Sequence, residues 1–107
     1  MFSSDPEICG KLGSAVCRGM QKIGVAAVAK HFPGHGDTKV DSHFELPRID
    51  KSLAELEKVE LIPFKRMARS RVEGIMTAHI LNSALDPEYP ATLSEKTIQP
   101  LLRQGMR

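Results

Sequence analysis

Two short apolar runs, residues 25–29 and 74–78, limit most what this chain can fold into. Each is too short for a helix of its own and lacks the alternation of a half-buried strand. Such runs fit strands buried on both faces, as in parallel sheets. Between and around them lie helical segments, in the order helix, strand, loop, helix, strand, loop, helix. Alternating buried strands and helices indicate an α/β fold. Two strands and three helices leave sheet edges and apolar faces without cover. The sequence therefore reads as a slice of a larger parallel sheet or barrel, where ligand sites lie at the C-terminal ends of strands.

The helical segments carry local start and stop signals. Asp5 caps the first, Pro6 suits its first position, and Glu7 favours the positive end of its dipole. Ile8, Leu12, Ala15, Val16 and Ile23 follow at helical spacing, and Gly24 stops it. Ser52 and Glu55 form a capping box, with Leu53, Leu56 and Val59 on one side of the helix they open. Pro63 predicts a kink or break, with residues 64–69 continuing beyond it. Ser94 caps a last helix carrying Ile98, Leu101 and Leu102, which Pro100 leaves short or kinked. Met76 is expected in the core.

Composition removes several functions. A net charge of +2, 5% aromatic residues and no tryptophan give no nucleic-acid footprint. No apolar run approaches the roughly 20 residues needed to cross a bilayer. The N-terminus lacks the basic and apolar regions of a secretory signal, so a cytoplasmic chain is expected. Cys9 and Cys17 are separated by about 12 Å of helix rise, too far for a disulfide. Both are expected as small thiols, buried or half-buried.

The two strands are followed by long polar loops, at residues 31–50 and 79–93. Connections this long in a compact domain are usually functional or disordered. The first contains Lys30-His31-Phe32-Pro33-Gly34-His35-Gly36-Asp37, then Asp41-Ser42-His43. Three roles fit three histidines and two aspartates within thirteen residues. They can be polar loop residues that satisfy turns. His31, His35 and His43 with an aspartate offer the nitrogen and oxygen ligands zinc accepts, although Pro33 and Gly34 oppose a helix that would align them. Or they can move protons, since an imidazole both donates and accepts near neutral pH and a carboxylate such as Asp41 can orient it.

This loop closely resembles the signature of glycoside hydrolase family three, in its bacterial β-N-acetylhexosaminidase branch. The resemblance extends along the chain in order. Ser4-Asp5-Pro6-Glu7 precedes the first helix, Glu60-Leu61 and Pro63-Phe64 follow the loop, Met76-Thr77-Ala78-His79 ends the second strand, and Pro90-Ala91-Thr92-Leu93-Ser94 comes after it. It implies that residues 1–107 are an internal part of a (β/α)8 barrel domain. It also implies retaining hydrolysis of terminal β-linked N-acetylglucosamine from muropeptide-like or chitin-like saccharides, as in peptidoglycan recycling. His43 would be the general acid/base, held by Asp41; Lys30 and His31 would bond sugar hydroxyls. His35 and Asp37 would shape the loop, and His79 could line the pocket. No cofactor and no metal are implied.

The family's nucleophilic aspartate stands on a later strand, and neither Asp50 nor Asp86 has its sequence context. The expectation is a chain with no appreciable turnover by itself. The alternative is a non-catalytic remnant that binds sugar, itself, or a complementary barrel piece through exposed edges.

Overall fold

The computed structural model describes residues 2–35 and 45–106. Helix α1, Pro6–Lys22, begins as its capping chemistry dictates: the Asp5 carboxylate accepts from the amides of Glu7 and Ile8. It ends where Gly24 takes a positive φ of 76°, which a side chain would resist. Strand β1, Val28–Phe32, follows, then β2, Arg48–Ile49. The Ser52 and Glu55 capping box opens α2, Leu53–Lys58, as expected. The break falls at Val59 and Glu60, so Pro63 sits in the first turn of α3, Leu61–Arg69, where its missing N–H costs nothing.

Strand β3, Gly74–Thr77, pairs parallel with β1. Strand β4, Leu81–Asn82, pairs parallel with β2 in a second small sheet. Ser94 accepts from the Thr97 amide and caps α4, Glu95–Thr97. A π-helical stretch, Ile98–Gln104, continues it. Pro100 explains the widening, because it has no N–H to return to the preceding turn, while its carbonyl takes the Gly105 amide. Together these elements form a small α/β arrangement with short parallel strands.

Buried Phe32, Leu56, Leu61, Phe64 and Met106 form the main core between β1 and the α2–α3 layer. Ala78, Ile80 and Ala91 form a second cluster against Ile49. The Glu73 carboxylate links distant ends of the chain, accepting from the Ala27 amide and the Gln21 side chain, which also donates to the carbonyls of Ser70 and Arg71.

Several expectations need correction. The first strand starts three residues later than residue 25 and runs through Lys30 and His31 into Phe32. Neither strand is buried on both faces. Ala29 and Ile75 pack toward the helices, whereas Val28 and Met76 are 53% and 49% exposed. Met76 is therefore not a core residue among the described contacts. The loop read over residues 31–50 contains β2, and the one over 79–93 contains β4.

Helix α1 also turns an unexpected side inward. Gly10, Ser14 and Cys17 are buried, and a Cβ on Gly10 would lie 3.2 Å from Pro63 Cα and 3.1 Å from Arg66 Cδ. Small residues allow this close approach to α3. The stripe of Ile8, Leu12 and Val16 points away and stays 43–48% exposed. In α2, only Leu56 of the three expected apolar residues is buried.

Candidate functional site at the strand ends

Parallel strands β1 and β3 end side by side, with Lys30 opposite Met76 and Phe32 opposite Thr77. His31 has no partner in this register and forms an irregularity between them. In an unbroken strand Lys30 and Phe32 would share a face. The irregularity separates them, so Phe32 is fully buried against the helices while Lys30 stays on the exposed face. The peptide bonds before His31 and before Pro33 are both cis.

Phe32 anchors this strand end. Its ring meets Phe64 edge-on, with centroids 5.3 Å apart and planes at 82°, a favourable geometry for the ring quadrupoles. The Phe32 carbonyl accepts from the Ala78 amide at 2.7 Å, tying the two strand ends together.

Two imidazoles meet beside this anchor, and a third follows β3. His31 and His35 have ring centroids 5.6 Å apart in a tilted arrangement. His79 follows β3 and is close enough for its charge to act on His31. Burial first, then the positive charges of Lys30, His35 and His79, push the His31 imidazole below its ordinary range. A neutral ring offers one donor and one acceptor, the pattern a hydroxyl group complements, and the Lys30 ammonium adds donors only.

The orientation of His79 follows from bookkeeping of hydrogens. Thr92 Oγ1 lies 3.1 Å from the Ala78 carbonyl, which can only accept, so the single hydroxyl proton of Thr92 goes there. Thr77 Oγ1, 3.1 Å from Thr92 Oγ1, must then donate, and so must His79 Nδ1 at 2.8 Å. When the His79 ring is neutral, this arrangement selects its Nδ1–H tautomer and leaves Nε2 to accept.

Of the residues expected from sequence, Lys30 and His31 stand at the strand end with His35 and His79 close by. Asp41 and His43 lie outside the described residues, as does Asp37. Among the described residues no three His, Cys, Asp or Glu side chains converge to hold a metal. Sequence reasoning assigned no role to Thr92 and Thr77, whose hydroxyls orient His79. No local signal exposes that pairing, because fifteen residues separate the two threonines.

Asp86 and Asp50 both have structural employment. Asp86 is buried, and accepts from Ser94 Oγ at 2.7 Å and from the amides of Glu88 and Tyr89. These bonds, that from Ser94 foremost, hold its carboxyl below the ordinary carboxylate range. Asp50 accepts from Ser83 Oγ at 3.2 Å.

Residues 1–107 match the family described as the glycosyl hydrolase family 3 N terminal domain. The chain belongs to this family. It is 47% identical over 102 residues to a beta-hexosaminidase of Alkalilimnicola ehrlichii, covering 95% of this chain and 29% of that relative. The crystal structure of CbsA from Thermotoga neapolitana superposes with a TM-score of 0.90 and 46% identity, over 96% of this chain and 24% of that one. NagZ from Neisseria gonorrhoeae, solved in complex with N-trifluoroacetyl-D-glucosamine, gives a TM-score of 0.89 and 38% identity, over 95% of this chain and 30% of its own. This family 3 chain thus spans less than a third of the length of each.

Proposed function

We propose that this chain is the acid/base segment of a retaining β-N-acetylhexosaminidase, one part of a (β/α)8 barrel that removes terminal β-linked N-acetylglucosamine. The observation that carries the reading is the position of Lys30 and His31 at the C-terminal end of a parallel strand, with the His35 ring beside His31, in a chain of this family. Sites of parallel α/β folds form at that end. The relatives supply the substrate class: one is named a beta-hexosaminidase and another was solved with an N-acylated glucosamine.

In this reading His43, held by Asp41, protonates the glycosidic oxygen as a carboxylate attacks the anomeric carbon. The neutral imidazole then takes a proton from the water that hydrolyses the glycosyl-enzyme, the two-step logic of retaining glycosidases. Lys30 and His31 bond sugar hydroxyls. In this reading the nucleophile is an aspartate on a later strand of the barrel, because neither Asp50 nor Asp86 has its sequence context. The exposed faces of Val28 and Met76 on the sheet, and of Ile8, Leu12 and Val16 on α1, are surfaces the rest of the barrel would cover. They equally favour a second reading, in which the isolated chain is a non-catalytic piece that self-associates or docks on a complementary fragment.

The test replaces the equivalent stretch of the Alkalilimnicola relative with this chain and assays hydrolysis of an aryl β-N-acetylglucosaminide. The chimera is expected to be active, and His43→Ala to lower kcat/KM by about 10²–10⁴-fold. The 107-residue chain alone is expected to show no turnover. An active chimera indifferent to His43→Ala, or saturable hydrolysis by the isolated chain that His43→Ala abolishes, would overturn the respective half of the proposal.

A further inference from the structure

Glu60 occupies the junction between α2 and α3, yet its carboxylate does not cap α3. It turns instead toward the two sides of the histidine loop. One side is Gly34, at φ 138°. A Cβ there would fall 2.5 Å from Glu60 Cγ and 2.8 Å from its Cβ, so the carboxylate stem lies directly on the bare glycine. The other side is Lys51, whose ammonium pairs with Glu60 Oε1. Lys51 is itself fixed: its amide donates to Asn82 Oδ1 at 3.2 Å, and its carbonyl accepts from Asn82 Nδ2 at 2.9 Å. Asn82 is buried on β4.

A single carboxylate therefore touches the chain before and after the loop. Its side chain is only 15% exposed. Its second oxygen, Oε2, is buried with no hydrogen-bond partner among the described residues. A buried carboxylate oxygen left without a donor is costly, and an apolar side chain would fill this position at less expense.

We infer that Glu60 is a positioning residue, fixing the separation of Gly34 and Lys51 and thereby the base from which the histidine loop is presented. Its catalytic consequence rests on the hexosaminidase reading above; its structural consequence does not. Glu60 touches no substrate in this scheme and acts through the loop's two ends.

The experiment uses the chimera and the chain itself, with Glu60→Gln, Lys51→Met, and the reversed pair Glu60→Lys with Lys51→Glu. Glu60→Gln keeps the stem over Gly34 and removes only the charge. In the chimera each single change is expected to lower kcat about tenfold to a hundredfold, the scale of an ångström-level misplacement, with KM moving less than about threefold. The reversed pair is expected to recover part of that loss. Amide exchange at Gly34, His35 and Lys51 is expected to quicken about tenfold, while that of Ile75 and Met76 stays constant. Unchanged exchange at Gly34 and Lys51 in Glu60→Gln overturns the inference, even where hydrolysis depends on His43. Faster exchange there, in a chimera whose hydrolysis ignores His43→Ala, supports the inference and sinks the hexosaminidase reading instead.

Discussion

Replacing Phe32 with alanine tests how the strand end that carries Lys30 and His31 is seated. Phe32 is fully buried in the core with Leu56, Leu61, Phe64 and Met106, and meets Phe64 edge-on at 5.3 Å. Removing a buried phenylalanine side chain costs about 3–5 kcal/mol in lost transfer energy and residual cavity. Native domains are stable by only roughly 5–15 kcal/mol, so the change is a large one. With a urea m value of about 1.5 kcal/mol/M, the midpoint is expected to fall by roughly 2–3 M. Phe32→Leu keeps most of the apolar volume but loses the ring pair, and is expected to cost about 1 kcal/mol. A double-mutant cycle with Phe64→Leu isolates that pair, with a coupling of about 0.5–1.5 kcal/mol. Urea unfolding followed by circular dichroism measures all four variants. A loss below about 1 kcal/mol for Phe32→Ala, or a strictly additive cycle, would show that Phe32 does not anchor the strand in the way described.

Three further outcomes are expected. Because burial, and then Lys30, His35 and His79, depress the His31 pKa, the unfolded chain binds more protons than the folded one below about pH 6.5. The stability this group contributes is present above that pH and is lost as pH falls toward the folded pKa; His31→Gln should flatten that part of a denaturation series, and an unaltered slope would refute the assignment. Ser52→Ala removes one half of the capping box and is expected to cost about 1 kcal/mol, measured by the same unfolding curves. Cys17 is buried, and burial first and Glu73 second raise its thiol pKa; under native conditions a thiol reagent should label half-buried Cys9 well before Cys17, and equal rates would contradict the packing of α1 on α3.

The parts legible in the sequence are those written in local chemistry. Asp5, Ser52 and Ser94 each act on amides two or three residues ahead, so their spacing suffices. Pro100 announced a disturbed last helix for the same reason, although not its π form. The parts that escaped depend on contacts distant in sequence. Just before strand β1, the Ala27 amide goes to the Glu73 carboxylate, 46 residues away. The pairing of β2 with β4 spans two residues on each strand, too little for any periodicity to show. Helix α1 has the predicted apolar stripe, yet closeness to α3 selects its small residues for the buried side. At the strand end, the motif singled out Lys30 and His31, whereas the contacts of Glu60 with Lys51 and of Thr92 with His79 cross folds of the chain that sequence spacing does not reveal.

The carboxylates supply a last argument about the acid. A retaining glycosidase needs a group that is protonated when the leaving oxygen departs and unprotonated when water attacks. Where that group is a carboxyl, its pKa must be raised, usually by burial without donors. The displaced carboxylates among the described residues run the other way. Glu55, Glu73 and Asp86 are all held below their ordinary range by hydrogen bonds donated to them, from the Ser52 amide, the Ala27 amide and the Ser94 hydroxyl foremost. They are acceptors fixed by the fold, and none serves as a proton donor near neutral pH. His31 is seldom protonated near neutral pH, because its surroundings, burial foremost, favour the neutral ring. His79 keeps its Nδ1 proton on Thr92, which suits it to orientation. In the proposed mechanism that proton comes from His43, a role that rests on the family resemblance of its loop.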